Sequence, residues 1–86
     1  MIAEVIIPKT GLNVEDCLFL EWLADEGSPV SPGQPLFRME TEKVEMEVEA
    51  DDAGYLHRIG VPETKYPIGS VIGYIAATED SYRSLL

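Results

Sequence analysis

Between Phe37 and Ala50 the chain alternates apolar and polar residues, and partway along the alternation changes phase. Phe37 and Met39 hold odd positions, whereas Val44, Met46, Val48 and Ala50 hold even ones with Glu45, Glu47 and Glu49 between them. Side chains on a strand alternate between faces with a period of two, so runs of opposite parity share an apolar face only if the chain reverses between them. The change falls at Glu42-Lys43, which places a hairpin there with Lys43, residue 43 of 86, at its tip. No Gly or Asn is present to supply positive φ, so a type I turn is expected rather than a primed one. A helix is the competing reading, because Leu36 to Ala53 contains neither Pro nor Gly. Steps of two, however, would scatter positions 44, 46, 48 and 50 around a helix, and no glycine cap precedes Gly54.

A hairpin alone cannot bury its apolar face, so the other segments must supply further strands. Ala3 to Ile7 is β-branched and ends at Pro8, a first strand; Lys9 to Asp16 is polar and reads as an exposed loop. Cys17 to Leu23 follows as a second strand, with Leu18, Leu20 and Trp22 expected on one face. Asp25 to Pro35 packs two Gly and three Pro into eleven residues, which requires turns, with Val30 as a short anchor between them. After the hairpin, Asp51 to Gly54 breaks the sheet, Tyr55 to Ile59 forms a strand, Gly60 to Gly69 is read as turn, and Val71 to Ala76 is the last strand. The tail from Thr78 carries weak signals and is expected to fray or lie along the surface, giving a domain over 1–78 and a C-terminal tail over 79–86. These short runs between breakers make an all-β domain with one core. The spacing Val30, Gly33, Leu36, Met39 recurs 36 residues later as Tyr66, Gly69, Ile72, Ile75, so each half reads as a similar β-unit. Facing halves would put the central turn at one end and both termini at the other.

Sixteen acidic against six basic residues give a formal charge of −10, which repels nucleic-acid phosphates and anionic lipid surfaces. Neither is expected as a partner. Cys17 is the only cysteine, which excludes an internal disulfide and fits a reducing compartment. The N-terminus lacks a basic region followed by a long apolar one, and no apolar run reaches membrane-spanning length, so a soluble, cytoplasmic protein is expected. Cys17 has no neighbouring His or basic cluster to activate it and reads as a half-buried strand residue. His57 has no second ligand at metal spacing, and Asp51-Asp52 with the glutamate run reads as a solvated acidic face, so neither a catalytic nor a metal site is expected. By spacing alone, Lys43 is an ordinary solvated charge.

The residues around it say more. Glu40-Thr41-Glu42-Lys43-Val44 resembles the acidic, Thr, acidic, Lys, small-apolar signature of lipoyl domains, the swinging-arm modules of 2-oxo acid dehydrogenase acyltransferases. The resemblance runs from about Glu4 to Ala76, through Val5-Ile6-Ile7-Pro8-Lys9, Glu21-Trp22-Leu23, Glu26-Gly27 with Val30, Gly33-Gln34 with Leu36, and Gly54, Gly69 and Ile75. It implies a flattened barrel-sandwich of two four-stranded antiparallel sheets with pseudo-twofold symmetry. It also implies a non-catalytic carrier with lipoate on Lys43, Glu42 and Val44 flanking the turn, and Glu40 and Glu47 read by a ligase or partner. The implied partners are a lipoate ligase or octanoyl transferase, a thiamin-dependent 2-oxo acid decarboxylase, the acyltransferase core and a flavin-dependent dihydrolipoamide dehydrogenase. A biotin carrier shares the lysine position but usually sets it between methionines, where this chain has Glu42 and Val44; an unmodified interaction module is the third alternative. The chain departs from the family at Gly27-Ser28-Pro29 and at Asp16-Cys17. The second departure closes the loop in which Leu12 and Val14 are expected to be exposed for recognition by the decarboxylase.

Overall fold

The computed structural model describes residues 2–10, 15–41 and 44–86. It contains β1 (Ile2–Ile6), β2 (Asp16–Trp22), β3 (Pro29–Val30), β4 (Pro35–Thr41), β5 (Val44–Glu49), β6 (Gly54–Arg58), β7 (Thr64–Pro67), β8 (Val71–Ala76) and a short helix α1 (Glu79–Arg83). The strands form two four-stranded antiparallel sheets, ordered β1-β8-β6-β3 and β5-β4-β2-β7. Exchanging each strand for the one four places along the chain turns the first order into the second, so the two sheets are related by a pseudo-twofold. The 36-residue repeat is its imprint. Gly33 and Gly69 both take positive φ, 88° and 90°, and donate their N–H to Ala50 O at 2.9 Å and Ile7 O at 2.8 Å. Leu36 with Ile72, and Met39 with Ile75, are buried in equivalent places.

Between the sheets lie Ile7, Phe19, Leu36, Phe37, Met39, Leu56 and Ile72, all fully buried. Each such side chain contributes roughly 1.5–3 kcal/mol through apolar burial. Trp22 packs edge-on against Phe19 and Phe37, with ring centroids 5.1 and 5.7 Å away, and its Nε1–H donates to Gly60 O at 2.9 Å. That bond ties one sheet to the loop beyond β6 of the other.

Two sequence expectations change, and a third gains detail. Leu18, Leu20 and Trp22 do not share a face: Cys17 and Phe19 enter the core, and a register irregularity between Phe19 and Glu21 brings Trp22 to the same side. An extra residue in one strand reverses its parity. The region read as turn from Gly60 to Gly69 contains β7, whose Pro67 is tolerated because β7 is an edge strand. The tail lies along the surface as α1, in which the Thr78 hydroxyl accepts from Ser81 N–H at 3.1 Å as N-cap. Tyr82 anchors it, its hydroxyl donating to Glu26 at 2.7 Å and its ring standing edge-on to His57.

Candidate functional site

The hairpin expected from the parity change is present. Register runs Phe37 to Val48, Arg38 to Glu47, Met39 to Met46, Glu40 to Glu45 and Thr41 to Val44. Phe37, Met39 and Thr41 point inward, Thr41 at 8% exposure, and Met46 and Val48 pack partly against the same core. The pairing of Thr41 with Val44 leaves residues 42 and 43 to join the strands. Glu42 and Lys43 themselves, and with them the expected type I turn, lie outside the described residues, as do Leu12 and Val14.

The closing pair sits at the far end of the molecule from the start of β1 and the end of β8. Ile2 pairs with Ala76, and Asp52 and Ala53, just beyond β5, line a 180 Å³ cavity with Ile2, Ala3 and Ala77. The end of β5 is therefore beside the start of β1 and Val44, its first residue, at the other end, roughly 17 Å away at about 3.3 Å per residue. Val44 is 58% exposed even though its strand mates Met46 and Val48 are partly covered. Leu18 pairs with Glu40, so Asp16, which closes the loop over 9–15, also lies at the hairpin end.

The outer face of β5, β4 and β2 is acidic, with one cation, Arg38, among the described residues of those three strands. Glu40 faces Glu45 directly across the β4–β5 ladder, and Arg38 faces Glu47. Arg38 reaches both ways, one Nη 2.5 Å from Glu21 on β2 and the other on Glu45 of β5. The Glu45 hydrogen bond, joined by the charges of Glu45, Glu21 and Glu47, outweighs desolvation and raises the guanidinium pKa above its ordinary value. Sequence reasoning passed over Arg38. A lone arginine in an alternating strand carries no signal until the register of both neighbouring strands is known.

Cys17 is buried more completely than expected, at 2% exposure, and burial first, then Asp16, pushes its thiol pKa up, which makes it a poor nucleophile. His57 stands with Nδ1 2.9 Å from Glu26, whose carboxylate also accepts from Arg58 N–H at 2.7 Å. Glu26 is a second hub the sequence did not reveal. Among the described residues no three His, Cys, Asp or Glu side chains are arranged to hold a metal ion.

Comparison with known proteins adds the following. The Biotin_lipoyl family, described as "Biotin-requiring enzyme", matches residues 3–75. The chain is 35% identical over 81 residues to the dihydrolipoyllysine-residue acetyltransferase component of the acetoin cleaving system of Cupriavidus necator, covering 93% of this chain and 22% of that protein. It is 34% identical over 82 residues to the corresponding Bacillus subtilis protein, covering 94% of this chain and 21% of that protein. Against the dihydrolipoyllysine-residue acetyltransferase component of the pyruvate dehydrogenase complex of Rickettsia typhi it is 31% identical over 80 residues, covering 91% of this chain and 20% of that one. The chain thus spans about a fifth of the length of these relatives.

Proposed function

The chain belongs to the Biotin_lipoyl family, and on that premise we propose that it is a lipoyl carrier domain with Lys43 as the attachment residue. The observation that carries this reading is the Thr41–Val44 pair, which confines the link between two antiparallel strands to Glu42 and Lys43, at the end of the sheets away from the start of β1 and the end of β8. The site fits a covalently carried group: the strands fix where the link begins and ends, and exposed Val44 beside it leaves room for an enzyme to approach.

Lysine, with an ordinary pKa of about 10.4, is a weak nucleophile at neutral pH, so its amide must be made from an activated acyl donor by a ligase or octanoyl transferase. When bound, the lipoyl group supplies a dithiolane that carries acyl groups and reducing equivalents. Everything else falls to the protein. Glu40 and Glu47 offer negative charge to basic entrances of the ligase, of a thiamin-dependent decarboxylase, of the acyltransferase core and of a flavin-dependent dihydrolipoamide dehydrogenase, and this attraction weakens with salt. The domain itself supplies no catalytic group. Both sets of named relatives are acetyltransferase components, of acetoin cleaving systems and of pyruvate dehydrogenase complexes, which makes an acetyl group the first acyl cargo to test. A cytoplasmic setting accords with the reduced, buried Cys17. Biotin is the weaker reading because Glu42 and Val44 flank the lysine in place of methionines.

The test is intact mass after expression in cells with active lipoyl and biotin ligases. A single lipoyl increment is expected, absent in Lys43→Arg with the far-UV spectrum unchanged. A biotinyl increment, or modification moved to Lys9 or Lys65 in that variant, would refute the assignment.

A further inference from the structure

We propose that Arg38 is a positioning residue for the attachment hairpin: by clasping Glu21 of β2 and Glu45 of β5 it keeps the outer end of β5 paired, and so fixes where the link between Thr41 and Val44 is presented. The attachment role of that link rests on the function proposed above; the clasp does not.

Four carboxylates, Glu21, Glu40, Glu45 and Glu47, share one face of three neighbouring strands, and Arg38 is the only cation those three strands contribute among the described residues. Like charges directly opposite each other weaken a ladder, and Glu40 and Glu45 are so placed. β5 is an edge strand whose sole ladder is the one to β4, and its first residue, Val44, is exposed. The end nearest the link therefore has little apolar burial to hold it against repulsion. Arg38 bridges across that ladder and, through Glu21, anchors it to the sheet interior.

The pseudo-twofold supplies an internal control. Tyr74, 36 residues after Arg38, occupies the equivalent place, paired with His57 and Glu4 as Arg38 pairs with Glu21 and Glu47. Where the hairpin has Glu40 facing Glu45, the other sheet has Ala76 facing Ile2. A cation at this place is therefore no requirement of the fold. It accompanies the carboxylates on the half that carries the lysine.

The test uses unmodified protein and measures amide hydrogen exchange residue by residue. Arg38→Gln is expected to accelerate exchange at Val44 and Met46 by about fivefold, the size of a cross-strand charge effect, while Leu56 and Ile75 of the other sheet are unchanged. At about 1 M salt, where the Debye length is about 3 Å, the difference should shrink. Adding Glu45→Gln should restore slow exchange, whereas Arg38→Lys, with one ammonium for two carboxylates, should fall between. Ligase rates on the same proteins are expected to follow the exchange rates. Equal acceleration in both sheets would reduce Arg38 to general stability and overturn the proposal. So would an exchange defect indifferent to salt and to Glu45→Gln, or a ligation defect with unchanged exchange, which would make Arg38 a contact of the ligase. If Lys43 proves unmodified, the exchange measurements still decide the clasp.

Discussion

Replacing Gly54 by Ala tests how closely the start of β6 is packed against the end of its neighbour β8. Gly54 opens β6 with φ at 152°, and a Cβ built there would lie 2.3 Å from Ala76 O, 2.8 Å from Ala76 C and 2.8 Å from Ile75 Cγ2. Ala76 cannot retreat easily, because β8 is an interior strand and Ala76 is paired with Ile2 on one side and Tyr55 on the other. Two costs combine: roughly 1–2 kcal/mol for an L residue in this backbone region, and about 1–3 kcal/mol for overpacking against a braced backbone. Gly33→Ala separates them, since Gly33 has φ of 88° but nothing within 4 Å of its built Cβ, so only the first cost applies. Urea unfolding followed by the fluorescence of the single Trp22, packed between Phe19 and Phe37, gives both values. Gly54→Ala should lose about 2–5 kcal/mol and Gly33→Ala about 1–2 kcal/mol at equal m values. Losses that agree within about 0.5 kcal/mol would show that β8 yields to the added methyl and that the contact contributes nothing.

Two further outcomes are expected. At Glu26, burial raises the carboxyl pKa, but hydrogen bonds from His57, Arg58 N–H and Tyr82 outweigh it and the net value lies below the ordinary 4.5. A depressed folded-state value stabilises the protein above the unfolded pKa and is lost as pH falls through the folded one, so Glu26→Gln should flatten the wild-type decline in stability below about pH 4.5. The same variant should lower the pKa of Tyr82, which the Glu26 acceptor holds above 10.0, as read by NMR titration of its ring; an unchanged Tyr82 would mean that α1 is not anchored there. Exchanging Leu12 and Val14 for Ser should leave lipoylation nearly unchanged while slowing reductive acylation by the cognate decarboxylase, measured against concentration of pre-lipoylated domain. An unchanged acylation rate would remove the loop from recognition.

What could be read from residues alone was whatever periodicity carries. The parity change at Glu42-Lys43 located the β4–β5 reversal, and the Val30 and Tyr66 series located the twofold, because both are patterns sustained over many positions. β3 with two residues and β7 with four are too short to show a period, and Pro67 argued against a strand that only an edge position permits. Trp22 was placed on the wrong set of neighbours because one irregular step after Phe19 reverses parity without any Gly to announce it. The helix after Thr78 has only five residues, and its Tyr82–Glu26 anchor spans 56 positions, beyond the reach of any local pattern. Arg38 and Glu26 share that difficulty: the types are common, and their roles follow from which strands lie beside them.

The pseudo-twofold makes the two ends of the barrel topological equals. β1 and β8 are the hairpin's counterpart with the connection left out, Ile2 facing Ala76 where Glu45 faces Glu40. Joining the segment after α1 back to β1 with a linker and opening the chain between β4 and β5 would give a circular permutant with the same eight strands, in which the former hairpin corner holds the ends. The fold thus offers two corners of one shape, and nothing in the backbone plan says which should be modified. The choice is written in side chains: an enzyme searching this surface would tell the corners apart by the carboxylates crowded around Arg38 on one side and the exposed, uncharged Ile2 on the other.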